Sequence, residues 1–284
     1  MMLKVLMLTL ILMFTPISLA DGWTKIGGPA AEIYVGGAWY NVYATNPDTG
    51  DIYGYQGTPM SWVKVGEPGK MFAANNAGLY SISPDGSAVY SYDGTPMKWT
   101  KIGGPAAEIY TGPFNLYATN PDSGDIYEYQ DTPMSWVKVG GPGKMFAANN
   151  AGLYGISPDG SAVYSYDGTP MKWTKVGGPA AEIYAGGSDL YATNPDTGDI
   201  YRYQGTPMSW VKVGGPGKMF AASYNVLYGL SPDGSAVHEY TRHSDEEFAP
   251  WTWIQIGGPA GAIYATGYGV LATNPQTHDV WLYQ

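Results

Sequence analysis

Residues 99–136 read WTKIGGPAAEIYTGPFNLYATNPDSGDIYEYQDTPMSW, and this stretch decides the fold. It runs from one Trp to the next. Four short runs rich in Ile, Val, Tyr and Thr lie in such a unit, residue types that suit a pleated, half-buried surface. In the first unit the runs are 32–35, 42–46, 52–56 and 62–65. Turn chemistry separates them. Asn46-Pro47-Asp48-Thr49-Gly50-Asp51 and, in the next unit, Ser83-Pro84-Asp85-Gly86-Ser87 set Pro early and Gly late, as tight hairpins require. Gly27-Gly28-Pro29 and Gly57-Thr58-Pro59-Met60 break the other junctions. No helical apolar period follows the first twenty residues.

The same punctuation recurs along the chain. A Trp opens a short β pattern ending in Gly at Trp23, Trp62, Trp99, Trp136, Trp173, Trp210 and Trp253, in steps of 39, 37, 37, 37, 37 and 43 residues. A fixed period of this length marks a repeat architecture. Seven units of four strands are the pattern of propeller blades. The expected fold is all-β: a seven-bladed β-propeller of four-stranded antiparallel blades over residues 21–284. Two unit types alternate, A B A B A B A. Type A carries Asn-Pro-Asp in its turn, and type B carries Ser-Pro-Asp-Gly-Ser.

The chain ends complement each other. The last unit stops after its third strand, at 280–284, and Trp23-Thr24-Lys25-Ile26-Gly27 is a lone fourth strand. The N-terminal strand is therefore expected to complete the last blade, removing two free sheet edges. The innermost strands carry Glu32, Lys70, Glu108, Lys144, Glu182 and Lys218 in turn, then Ala262. This predicts alternating charges around the central channel, with Ala262 avoiding a Glu–Glu contact at the seam.

Residues 1–20 form a separate segment. Lys4, an apolar run from Val5 to Phe14, and Ser18-Leu19-Ala20 have the form of a secretory signal peptide. The run is too short to span a bilayer comfortably, so no membrane insertion is expected. The chain has no Cys, so a secreted form would hold together by its core alone. The net charge of −10 argues against nucleic acid as a partner. Self-association is left open.

Material for catalysis is sparse. His238, His243 and His278 lie only in the last two units, no metal-ligand spacing occurs, and no phosphate loop or nucleophile elbow is present. The insertion 241–251 reads as a solvated loop. The Asp48 and Asp51 turn suits a hairpin better than a calcium loop. No catalytic residue, cofactor or metal is expected. Repeated units do build repeated clefts, and repeated weak sites give avidity. A sugar offers a C–H face for an aromatic ring and hydroxyls for polar groups. The candidate glycan contacts are Asn46, Asp48, Tyr55 and Trp62 in the first unit and Asp85, Tyr92 and Trp99 in the second. Their repeats are Asn120, Asp122, Tyr129 and Trp136, then Asp159, Tyr166 and Trp173, then Asn194, Asp196, Tyr203 and Trp210. The Trp and the final Tyr of the third strand are expected toward the rim opposite the polar turn.

The unit Trp-Thr-Lys-Ile-Gly-Gly-Pro-Ala-Ala-Glu-Ile-Tyr at 99–110, followed by Leu-Tyr-Ala-Thr-Asn and Gly-Asp-Ile-Tyr, resembles the tectonin repeat. The resemblance extends through all seven units, and the whole is similar in style to tachylectins and to bacterial and fungal propeller lectins. It implies a secreted multivalent lectin that binds carbohydrate between blades, in innate defence or cell-surface recognition. Ligands of such families include acetylated amino sugars, fucose, lipopolysaccharide and methylated sugars, and the choice among them stays open. Gln276 and His278 replace the Asp and Gly of other type A turns, and His238 replaces a strand Tyr, so pockets built there are altered. A protein-interaction or structural scaffold is the alternative function.

Overall fold

The computed structural model describes residues 22–284 apart from 37–40, 225, 243–250 and 268. Residues 1–21, where a signal peptide is expected, and most of the 241–251 insertion, with His243, lie outside the described residues. The chain forms twenty-eight strands, β1 to β28, in seven four-stranded sheets, with no helix among the described residues. Blade 1 comprises β2 (Ile33–Val35), β3 (Val42–Thr45), β4 (Ile52–Tyr55) and β5 (Trp62–Gly66), hydrogen-bonded in that order and antiparallel throughout. Blades 2 to 6 repeat it. The seventh consists of β26 (Ile263–Thr266), β27 (Gly269–Thr273), β28 (Asp279–Tyr283) and β1 (Trp23–Pro29). The N-terminal strand thus closes the ring as expected, with Trp23 opposite Tyr283 and Lys25 opposite Trp281.

A β-bulge interrupts the outer strand of every blade. In blade 1, Ile52 pairs with Gly66 and Tyr53 with Lys64, which leaves Val65 without a partner. The same slip isolates Ile102, Val139, Val176, Val213, Ile256 and, on the closing strand, Ile26. A bulged residue is lost from the ladder, and its carbonyl needs another partner. That partner comes from the next blade. The indole N–H of Trp99 donates to the carbonyl of Val65 at 2.9 Å, and the backbone N–H of Met97 donates to the same oxygen at 3.0 Å. Trp62, Trp136, Trp173, Trp210, Trp253 and Trp23 reach Ile26, Ile102, Val139, Val176, Val213 and Ile256 in the same way, at 2.7–2.8 Å.

The Gly after each bulged residue belongs to the same joint. A Cβ on Gly66 would meet the Trp99 indole nitrogen at 2.9 Å, and one on Gly140 would meet that of Trp173 at 2.9 Å. The pattern Trp-x-x-Ile/Val-Gly therefore encodes one inter-blade joint. Trp is the donor, the aliphatic residue offers the freed carbonyl, and Gly leaves room for the ring. Each such bond contributes roughly 1 kcal/mol net, and the buried ring area adds more.

The apolar core is divided into seven clusters, each bridging two neighbouring blades. One joins Ile82, Val89 and Ile102 of blade 2 to Ile109, Leu116 and Ala118 of blade 3. Another joins Leu271, Val280 and Ile26 of the seventh blade to Ile33, Val42 and Tyr55 of the first. Burial therefore stabilises the contacts between sheets more than any sheet alone.

The alternating Glu and Lys at the innermost strands form no ion-pair ring among the described residues. The hydroxyls of Tyr34, Tyr110 and Tyr184 donate to Glu32, Glu108 and Glu182, each of which immediately precedes its strand. Lys144 Nζ donates to the carbonyl of Ala181 at 3.1 Å. No ion pair among the described residues links these Glu and Lys side chains; each Glu takes the phenol two positions along the chain.

Candidate functional site: the clefts between blades

Where one blade's outer strand leaves for the next, the Gly-Gly-Pro segment stands off from the neighbouring sheet and opens a cleft. Between blades 7 and 1 the cleft measures about 230 Å³, and Gly27, Gly28, Pro29, Thr45, Asn46, Tyr53 and Trp62 line it. Between blades 4 and 5 it measures about 220 Å³, lined by Gly177, Gly178, Pro179, Asn194, Tyr201, Met208 and Trp210. A cleft of about 300 Å³ between blades 3 and 4 carries Phe146, Ser157, Pro158, Tyr164 and Trp173. Trp62, Trp210 and Trp173 are half-buried. Their N–H groups are committed to the inter-blade joints, so toward the cleft these indoles offer carbon surface.

Of the expected contacts, the structure brings together the turn Asn and the Trp. Asn46 and Trp62 share one cleft, and Asn194 and Trp210 share another. Asn120 and Trp136 hold the same places in blade 3, where Trp136 donates to Ile102 and Asn120 caps its turn. In each type A turn the Asn side-chain oxygen accepts two backbone N–H groups. For Asn46 these are Asp48 at 2.9 Å and Thr49 at 3.0 Å. That Asx turn orients the amide and leaves its Nδ2 without a partner among the described residues.

The remaining candidates are placed elsewhere. Asp48, Asp122 and Asp196 sit exposed at the turn tips, outside the lining of the described clefts. Asp85 accepts from the Ser83 hydroxyl at 2.6 Å and from the Ser87 N–H and hydroxyl, and Asp159 is held likewise by Ser157 and Ser161. Those bonds stabilise the ionised form and pull both carboxyls down to about 2. Their acceptor capacity serves the turn. Tyr55, Tyr92, Tyr129, Tyr166 and Tyr203 pack on the Trp of their own blade, with ring centroids 5.1–5.4 Å apart, within the inter-blade cores.

The tyrosine that lines the cleft is the earlier one of each Ile/Val-Tyr-x-Tyr strand: Tyr53, Tyr164 and Tyr201. Met208 is another lining residue that the sequence candidates left out, as are Thr45 and Phe146. The signal for Met208 lay in the repeated Thr-Pro-Met turn, whose Met adopts a left-handed backbone (φ 64–68°) at 60, 97, 134, 171 and 208. The second Asp of each type A turn is withdrawn from any ligand set. Asp51, Asp125 and Asp199 pair with Lys64, Lys138 and Lys212 at 2.6–2.9 Å, and those lysines hold the carboxyls below their usual range. No group of three or more His, Cys, Asp or Glu that could hold a metal ion occurs among the described residues.

A closed ring of seven sheets, clamped by one Trp per joint, defines a Trp-clamped β-propeller with clefts at its joints. Residues 105–284 match the Tectonin domain family, and the chain belongs to it. No curated protein matches the chain significantly. Solved structures share its fold. One, described as "YCF48 bound to D1 peptide", is 14% identical with a TM-score of 0.61, over 94% of this chain and 99% of that one. YCF48 from Cyanidioschyzon merolae is 12% identical, over 93% of this chain and 98% of that one, with a TM-score of 0.60. The β-propeller domain of Myceliophteria thermophila Cps50 (Swd1) is 10% identical, over 92% and 99%, with a TM-score of 0.57. At these identities the likeness concerns the fold alone.

Proposed function

We propose that this chain is a secreted, non-catalytic, multivalent carbohydrate-binding protein that recognises cell-surface or microbial glycans through its inter-blade clefts. The observation that carries the reading is the pairing, in one cleft, of an indole face with an Asn whose Nδ2 has no partner among the described residues, as Trp62 with Asn46 and Trp210 with Asn194. A pyranose has the matching chemistry: an apolar C–H face for the ring and oxygens for the amide. The clefts are small and repeat around a rigid ring, which suits weak single sites acting together on a surface that displays many copies of a ligand. Family membership and the form of residues 1–20 support the same reading.

The second reading is a protein-interaction scaffold. Phe114 is 69% exposed and Tyr224 is 46% exposed, both in first-hairpin loops, and Tyr224 lines the mouth of the central channel. A structural neighbour with the same fold is described as bound to a peptide. A glycan array with the purified chain, repeated with competing free sugar, separates the two. Binding abolished by one monosaccharide supports the lectin. Silence across plant, animal and bacterial glycans rejects it and favours the scaffold.

A further inference from the structure

The seven inter-blade joints are not equivalent, and the difference lies in which polar atoms of the neighbouring turn remain uncommitted among the described residues. In blades 1, 3 and 5 the turn Asn spends its oxygen on two backbone N–H groups and keeps its Nδ2 uncommitted. In blades 2 and 4 the corresponding residue is Ser83 or Ser157. Its hydroxyl donates to the turn Asp at 2.6 Å and accepts from the N–H of Ala88 or Ala162 at 3.0 Å, so the hydroxyl is already used in both directions. The type B cleft between blades 3 and 4 is also lined by Phe146, whose ring packs against Trp173 at 6.2 Å. Blade 6 has Ser231 in the same saturated role and His238 in the tyrosine position. Blade 7 keeps Asn274 but carries Trp281 opposite Lys25, where blade 1 has Tyr53 opposite Lys64. Its third and fourth strands are the two chain ends, so the Thr-Pro-Met turn is missing there.

We infer that glycan binding is confined to the three clefts of blades 1, 3 and 5. In each, an Asn amide that can only donate (Asn46, Asn120 or Asn194) selects a sugar oxygen that accepts, while the Tyr and Trp carry the apolar face. This inference rests on the lectin reading above. It makes the valency three on alternate blades, not seven. It also fixes the polarity of the contact: the sugar group that meets the amide is an acceptor, and removing the amide's donor weakens recognition without disturbing the turn. A loop methionine stands at each of the five internal joints that carry a Thr-Pro-Met turn. Met208 lines its cleft, and Met60, Met97, Met134 and Met171 occupy the same turn, bonded to the same bulge carbonyl of the preceding blade.

The test is a titration of the [methyl-13C]methionine-labelled chain, without its leader, with N-acetylglucosamine, galactose, mannose and fucose in turn, followed by methyl NMR. One sugar is expected to shift Met60, Met134 and Met208 together and leave Met97 and Met171 in place. Equal shifts at all five would overturn the restriction to three clefts while keeping the lectin. A sugar that binds on the array yet moves none of the five methyls would place the site elsewhere. A silent array with no methyl shift removes the lectin reading itself. The triple variant Asn46→Asp, Asn120→Asp, Asn194→Asp keeps the side-chain oxygen that caps the turn and loses the donor. Its expected affinity is about tenfold or more weaker, with the thermal midpoint unchanged. Unchanged affinity in that variant contradicts the proposal.

Discussion

The indole N–H of Trp23 donates to the carbonyl of Ile256 at 2.7 Å, across 233 positions of sequence. It is the same joint that links Trp136 to Ile102 at 2.8 Å within the ring. The seam between the chain ends is therefore built like every other joint, and the closing strand contributes a clamp as well as a sheet edge.

Removing that clamp should cost as much as removing an internal one. Trp23→Ala and Trp136→Ala are each expected to lower the unfolding free energy by about 3–5 kcal/mol, from lost ring burial and the void left behind. Urea unfolding followed by tryptophan fluorescence measures both. A Trp23→Ala cost well under half that of Trp136→Ala would show that the seam is not an equivalent joint.

The glycine of each joint is coupled to the next blade's Trp. A Cβ at Gly140 would sit 2.9 Å from the Trp173 indole nitrogen and 3.0 Å from Ile126 Cγ2. Gly140→Ala is expected to cost about 1–3 kcal/mol through overpacking. With Trp173→Leu already present, the part of that cost due to the ring should vanish, while the contact with Ile126 remains. A double-mutant cycle gives the coupling, and additive costs would refute the shared joint.

Four of the five Thr-Pro-Met turns open with a Gly at positive φ, as Gly57 and Gly205 do, but the turn of blade 3 opens with Asp131 at φ 53°. A side chain in the left-handed region is strained unless its environment compensates, and Asp131 makes no hydrogen bond among the described residues. Asp131→Gly is predicted to stabilise the propeller by about 0.5–1 kcal/mol, visible as a raised melting temperature. A lowered melting temperature would mean that the carboxylate has a structural role there.

Two pH limits follow from the titrating groups. The Asp85, Asp159 and Asp233 carboxyls are held down to about 2 by turn hydroxyls and N–H groups, against an ordinary value near 4. A depressed folded value gives stability that is complete above the unfolded value and is lost as pH falls through the folded one. The type B turns should therefore persist at pH 3 and loosen toward pH 2, followed by circular dichroism. At the alkaline end, burial raises the phenols of Tyr117, Tyr191 and Tyr228, with nearby carboxylates adding to it. A raised folded value gives stability that is complete below about pH 10 and is lost as pH rises further. Phenolate absorbance from these residues should appear together with unfolding, and their ionisation in the folded ring would contradict the burial.

The blade count, the strand number and the closing strand were legible because the Trp period and the complementary ends are properties of the sequence itself. The joint was only half legible. Trp-x-x-Ile-Gly announces a repeat, but the bulge that frees the Ile26 or Val65 carbonyl depends on pairing register, which no residue type reports. The site was blurred for a related reason. Tyr53 and Tyr55 lie two positions apart on one face of a strand, and alternation cannot say which of them the neighbouring blade covers. The structure puts Tyr55 in the core and Tyr53 in the cleft. The Glu–Lys alternation was legible as spacing along the chain, but spacing says nothing of the nearer partners that the Glu side chains take, such as Tyr34 and Tyr110.

The central claim is that a sugar lies with its C–H face on the cleft aromatics. Saturation-transfer NMR, with irradiation of the protein's aromatic resonances in the presence of the sugar selected by the array, tests it directly. The account predicts strong transfer to the C–H protons of one pyranose face and weak transfer to the other. Transfer spread evenly over both faces, or none to a sugar that demonstrably binds, would contradict it.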